Sequence, residues 1–354
     1  MPLLTTTIGA YPKPAYLPTP DWFRNESKQE TQREGSPTTA YNDYLSGISA
    51  ETHALLDRAT REVVQKQVEL GIDIPTDGEL RRENYIYYFC RNLSGYDFHD
   101  LTHQVLRNGA WEAYVPTVRG PIVPSKPIMV ADYLVAQSAT DKPVKVTLPG
   151  PLTICGSTAD DFYHDKKALG ADLADALNKE ILALADAGCT WIQVDEPVFA
   201  RNPDLALAFG FENLERCFAG VPDNVKRAVH MCCGYPMQLD DEDYEKAHPN
   251  VYFELADAID ASSINAISLE DAHRYNDLTL LERFHNTTVI WGSVAIAKSR
   301  VETVDEIKTR LKQALDHIDA DRLIAAPDCG LGYLTEAMVH AKLRNMSEAA
   351  HAIG

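Results

Sequence analysis

The feature that most constrains this chain is a rhythm. Short runs rich in β-formers alternate with longer stretches of helical period along most of its length. The strand-like runs fall at 3–8, 72–76, 144–148, 191–194, 228–231, 266–269, 289–292 and 323–326. Between them lie helical stretches. Residues 50–70 carry Leu55, Leu56, Ala59, Val63, Val64 and Val68 on one i, i+3/i+4 stripe, and 167–187, 304–318 and 335–350 read as helices too. Repeated βα units imply a parallel sheet with helices packed outside it. The count is about eight units, the number that closes a barrel.

The expected fold is therefore α/β, a single (β/α)8 TIM barrel spanning residues 1–354. A doubly wound open sheet is the alternative that the same rhythm allows. One segment, about 85–141, breaks the pattern with aromatics and prolines. It reads as an insertion between strands 2 and 3, a hairpin plus a helix placed to cover the barrel mouth.

Composition narrows the function classes. Hydrophobic residues make up 45% of the chain, ample for a core, yet no run reaches the ~18 apolar residues of a membrane span. The first residues, Met1-Pro2-Leu3-Leu4-Thr5, lack the basic and apolar regions of a secretory signal, so a cytoplasmic location is expected. A net charge of −19 argues against nucleic acid as a partner. Seven cysteines, an odd number without an export signal, point to reduced thiols available as ligands or nucleophiles.

In a barrel the loops after the strands hold the active site. The chemically unusual residues of this chain gather there. His230 and Cys232 end the fifth strand, two apart and so on one side, while Met231 and Cys233 turn away. Such a pair alone is more often structural than functional. Glu270 ends the apolar run Ile264-Asn265-Ala266-Ile267-Ser268-Leu269, where an acid needs a partner. Cys329 follows the last strand in Pro327-Asp328-Cys329-Gly330. His230, Cys232, Glu270 and Cys329 make an N, S, O, S set that suits Zn2+. Ligands drawn from distant segments point to a catalytic metal, whose role would be to lower the pKa of a substrate thiol.

Glu79 and Asp195, at the ends of the second and fourth strands, are placed to hold an ammonium group. The bland reading is that Asp195-Glu196 caps the next helix or pairs with an arginine. Arg81 and Arg82 read as a solvated face.

These motifs resemble a known family, the cobalamin-independent methionine synthases, and within it their C-terminal catalytic barrel. The resemblance covers nearly the whole chain. It is carried by Thr5-Thr6-Thr7-Ile8-Gly9-Ala10-Tyr11-Pro12, Asp77-Gly78-Glu79, Lys142-Pro143-Val144-Lys145, Gly150-Pro151-Leu152-Thr153-Ile154, Trp191 through Pro197, His230-Met231-Cys232, Ile267-Ser268-Leu269-Glu270 and Asp328-Cys329-Gly330-Leu331. It implies zinc on His230, Cys232, Glu270 and Cys329, and L-homocysteine on Ile8, Gly9, Ala10, Glu79 and Asp195. Where the family has serine this chain has Ala10, leaving only backbone for that contact.

Four departures concern the methyl donor. The full-length enzymes carry an N-terminal barrel that helps hold a polyglutamyl folate, and this sequence reads as a stand-alone core. A tryptophan that stacks on the pterin is replaced within Cys155-Gly156-Ser157. An acid that meets the pterin gives way to Arg201. The catalytic histidine after the seventh strand is Ala297, with Lys298 beside it as a candidate proton donor. The expected activity is thus methylation of homocysteine to L-methionine from a donor other than polyglutamyl methyltetrahydrofolate, such as a methylcorrinoid or a methylated partner protein. Two other readings keep the site: transfer to another small thiol, and a zinc- or thiol-binding protein without turnover. Two thiolates match common zinc hydrolases poorly.

Overall fold

The structure, a computed structural model, describes residues 2–24, 36–106, 111–124, 126–236, 238–241 and 244–353. Its strands in chain order are β1 (Leu4–Thr5), β2 (Leu93–Leu106), β3 (Trp111–Pro124), β4 (Lys145–Pro149), β5 (Ala159–Asp160), β6 (Trp191–Asp195), β7 (Lys226–Met231), β8 (Ala266–Leu269), β9 (Thr288–Val294) and β10 (Leu323–Pro327). Seven of them form one sheet in the order β1-β10-β9-β8-β7-β6-β4, every neighbouring pair parallel. This order follows the chain without reversal. A doubly wound sheet reverses at a switch point, so that alternative is discarded.

The predicted second strand appears as a bridge rather than a strand. Thr6 pairs with Ile74 and Thr76 with Lys145, both parallel, so segment 72–76 touches the two edges of the sheet. Pro75 has no N–H to donate. Its carbonyl still accepts from Lys145 N (2.8 Å), and the Asp73 carboxylate takes the Thr5 N–H and hydroxyl. The observed architecture is a curled, mixed α/β fold consistent with a TIM-like barrel.

Helices cover the outer face. The helix Ala50–Glu69 starts where the Ser49 hydroxyl accepts from Thr52 N. Its buried stripe is Leu56, Ala59, Thr60, Val63, Val64 and Gln67, while Leu55 and Val68 are only half-buried. The polar Gln67 is buried because its amide stitches the helix to the sheet edge, accepting from Thr76 N (3.1 Å) and Thr7 Oγ1 (2.6 Å) and donating to Thr76 O (2.8 Å). Lys166–Asp186, capped by Asp165, and Val304–Ala314, with a Thr303/Glu306 capping box, lie where helical period places them.

Period-2 alternation sorts the strands into two cores. Val229, Met231 and Cys233 join the large apolar cluster under the helices. Ala228, Ala266, Ile290, Ile324 and Ala326 form a second cluster with Ile8 and Ile74. Residues 85–141 contain a short helix (Tyr85–Cys90), the long antiparallel pair β2–β3 and a helix (Met129–Gln137). β5 adds to β3 as a third strand. No helix among the described residues is long and apolar enough to cross a membrane.

Candidate active site

The strand ends converge on one large cavity of about 1330 Å³. Ile8, Gly9, Ala10, Glu79, Asp195, His230, Cys232 and Cys329 all line it. The hairpin contributes His103, Gln104, Val105, Ala113 and Tyr114, so the 85–141 segment does wall the mouth.

At its base, one ligand atom from each of His230, Cys232 and Cys329 lies within 4.8 Å of the others. β7 aims His230 inward. The Ser268 hydroxyl of the adjacent β8 meets Nδ1 at 2.9 Å, which leaves Nε2 toward the thiols, 3.3 Å from Cys329 Sγ. The two cysteines interact directly. The hydrogen bond from Cys329, followed by His230, holds the Cys232 thiol well below its usual range, and the same bond raises Cys329. Burial pulls the His230 ring down, but its bond to Cys232 and the nearby Cys232 and Asp195 charges leave it raised. An imidazole anchored from behind by Ser268, with two thiols beside it, is a donor set that fits a soft divalent metal.

Glu270 stands outside this 4.8 Å cluster and does not line the cavity. One carboxylate oxygen is 2.6 Å from Lys246 Nζ; the other accepts from Cys233 N at 3.2 Å. Lys246 gave no signal in the sequence, because it lies in an irregular loop 24 residues before its partner.

Beside the cluster, Glu79 and Asp195 bring carboxylates to the same cavity, Asp195 as the register neighbour of His230. Glu79 sits at φ +58 after Gly78 at φ +69, an uncommon backbone for a residue with a side chain. The turn is held by Thr147 Oγ1, 2.7 Å from Glu79 Oε1, and by Arg82, 3.4 Å from both Glu79 and Asp77. Gly9 makes this possible, since a Cβ there would come 2.5 Å from Glu79 Oε1. Asp195 accepts from Gln193 Nε2 at 2.7 Å, and burial pushes its carboxyl up to about 7.

Two basic residues correct the reading of a solvated face. Arg82 is 2% exposed and Arg81 pairs with Asp57 and Asp132. Arginine buried among carboxylates orients them, and its spacing of three from Glu79 was the available signal. Lys145 is likewise buried. Its Nζ finds no hydrogen-bond partner among the described residues, and burial lowers it to about 7, with Asp195 opposing. The bland alternative for Asp195-Glu196 fails as stated: Glu196 stands at the start of the next helix, Pro197–Arg201, without capping it, and its carboxylate instead accepts from Leu152 N, Thr153 N and Thr153 Oγ1 at the start of the preceding helix, Pro151–Cys155.

The family model described as cobalamin-independent synthase, catalytic domain, matches residues 3–352. The chain belongs to the cobalamin-independent methionine synthase family. It is accordingly a methyltransferase of methionine biosynthesis, and the family activity implies methylation of homocysteine. It is similar to the methionine synthase of Saccharolobus solfataricus, at 30% identity over all of this chain and 96% of that protein. That of Pyrococcus abyssi is 28% identical over all of this chain and 94% of its own length. Among solved structures, a B12-independent methionine synthase from Shewanella sp. W3-18-1 in complex with selenomethionine superimposes with a TM-score of 0.85 at 30% identity, covering 99% of this chain and 97% of that one.

The positions that the sequence connects with the methyl donor lie in or near the same cavity. Cys155, Gly156, Ser157 and Arg201 line it. Arg201 is half-buried, and its positive charge acts on Cys232 and Tyr85. Ala297 is buried beneath the lining and donates its N–H to His273 Nε2 (3.1 Å). Lys298 does not line the cavity, so the geometry lends no support to it as a proton donor.

Proposed function

We propose that this chain transfers a methyl group to the sulfur of L-homocysteine, giving L-methionine, at a Zn2+ site. The donor in this reading is not polyglutamyl methyltetrahydrofolate but a methylcorrinoid or a methylated partner protein. The observation that carries it is the His230–Cys232–Cys329 cluster and two carboxylates lining one cavity. Those three residues would hold the metal, and Glu270 is the carboxylate available to it. When bound, zinc would lower the pKa of the substrate thiol and so favour the thiolate at neutral pH.

The remaining work belongs to the chain. Glu79 and Asp195 take the substrate ammonium, with Arg82, Thr147 and Gln193 fixing their oxygens. The backbone of Ile8, Gly9 and Ala10 faces the substrate carboxylate, because Ala10 has no hydroxyl. Fixing both ends of the amino acid leaves its sulfur directed at the cluster, an orientation effect. The solved relative that holds selenomethionine supports an amino acid of this shape. The donor reading rests on Arg201, which lines the cavity, and on Ala297, which offers no imidazole at its position.

We read the bridges of segment 72–76 to both sheet edges as the closing contacts of a (β/α)8 barrel, residues 1–354 as one catalytic domain, and the cytoplasm as its place. The test is methionine formation from homocysteine by zinc-loaded protein, with methyltetrahydrofolate and methylcobalamin supplied in parallel. Turnover with methylcobalamin alone is the expected result. Efficient turnover with folate would remove the donor reading, and none after zinc loading with any methyl donor or partner would remove the activity.

A further inference from the structure

We infer that Lys145 is a positioning residue for the amino-acid substrate: its buried ammonium holds the Gln193 carboxamide in the one orientation that serves both ends of the substrate site. The inference rests on the reading of Asp195 and of residues 8–10 given above and concerns what keeps them in place.

Gln193 links the two ends. Its Nε2 group donates to Asp195 Oδ1 (2.7 Å) and to Ile8 O (2.8 Å), so one carboxamide ties the ammonium-binding acid to the backbone beside Gly9 and Ala10. A carboxamide turned over would set its oxygen against two acceptors and break both bonds. The orientation is secured only if Oε1 meets a donor. That oxygen is buried and has no hydrogen-bond partner among the described residues.

Lys145 supplies the complementary group. Val144, Val146 and Leu148 pack in the large core under the helices, so Lys145 and Thr147 turn to the inner face of the sheet. Thr147 is the register partner of Gln193, and Lys145 lies two residues before it on that face. The lysine stem runs toward the strand ends, because its charge acts on Asp195 and His230 there. Ala228 and then Ala266 follow Gln193 across the sheet, small side chains that leave the lysine room. The residue is 1% exposed, and its Nζ, like Oε1, has no hydrogen-bond partner among the described residues. An ammonium has three protons to give and can meet Oε1 directly or through one water.

A buried ammonium without a close counter-charge costs stability, and an apolar side chain of similar length would fill the same space without that cost. A group kept at such a cost, one layer beneath a binding site, points to function rather than to folding.

The experiment compares wild type, K145M, Q193M and the double variant by three measurements: L-methionine binding by calorimetry, zinc content and Tm. K145M should bind methionine about ten-fold more weakly, the scale of one lost hydrogen bond to a charged group. Its zinc content should match wild type, and its Tm should be no lower, since a buried charge has gone. The double variant should bind no more weakly than Q193M alone, because the lysine acts through the carboxamide. Unchanged methionine affinity in K145M, or losses that multiply in the double variant, would overturn the inference. A lowered Tm in K145M, or its failure to fold, would make the lysine a structural group and overturn it equally. Should Q193M fail to fold, the affinity and Tm of K145M decide by themselves. Wild type that binds no methionine would instead remove the amino-acid reading beneath the inference.

Discussion

The two sides of the cavity are built differently. On the thiol side every chemical group is fixed from behind: His230 by Ser268, Glu79 by Thr147 and Arg82, Asp195 by Gln193, and Glu270 by Lys246. These groups stand at or just past the ends of parallel strands, where the sheet itself sets their separation. On the donor side the lining comes from a two-stranded hairpin, from Gly156 and Ser157, and from the half-buried Arg201. Rigid sites built on sheet ends suit a small substrate held at several points. A wall of loops and hairpin is where family members can change partner without disturbing the reacting sulfur.

The comparison can be broken most decisively at the cluster. Cys232→Ala should remove bound metal and lower methionine formation by at least ~1000-fold, because one soft ligand of three is lost. Metal analysis of the purified variant checks it, and retained metal would deny that the thiol side is a metal site. Asp195→Asn comes next. Loss of a charged hydrogen bond to the substrate ammonium should weaken binding by ~10- to 100-fold, with metal content unchanged.

The same carboxyl gives a pH signature. Burial raises Asp195 to about 7, so it is protonated below that value and cannot pair with an ammonium. Methionine, which has no thiol to titrate, should bind more weakly as pH falls through 7, and calorimetry on D195N should show that dependence gone. Ser268→Ala should leave the fold intact but lower metal affinity by ~10-fold, the usual range for losing the group that orients a histidine ligand. The smallest effect separates the two sides. Arg201→Ala should change the apparent KM for the methyl donor by ~10-fold or less while homocysteine binding and metal affinity stay put, since a half-exposed charge is screened. A change in homocysteine affinity of the same size would place Arg201 on the thiol side.

The sheet and its outer helices were legible because buried strands and amphipathic helices have periods that a sequence displays directly. His230, in β7, and Cys232, just past its end, were legible for a related reason, as extended residues two apart turn to the same side. The 72–76 segment was found by its apolar run, but its status as a pair of bridges depends on Pro75 and on the Asp73 side chain competing for β1.

What the sequence determined by itself was therefore the periodic part: the βα repeat, the strand ends and the residue types gathered there. Only the tertiary structure decided which charges those residues meet. It buried Arg82 under Glu79, required Gly9 beside that carboxylate, left Lys145 Nζ without a hydrogen-bond partner among the described residues and joined Lys246 to Glu270. The physical reason is that burial and ion pairing depend on contacts between segments remote in the chain. No local period encodes which loop will lie against which strand.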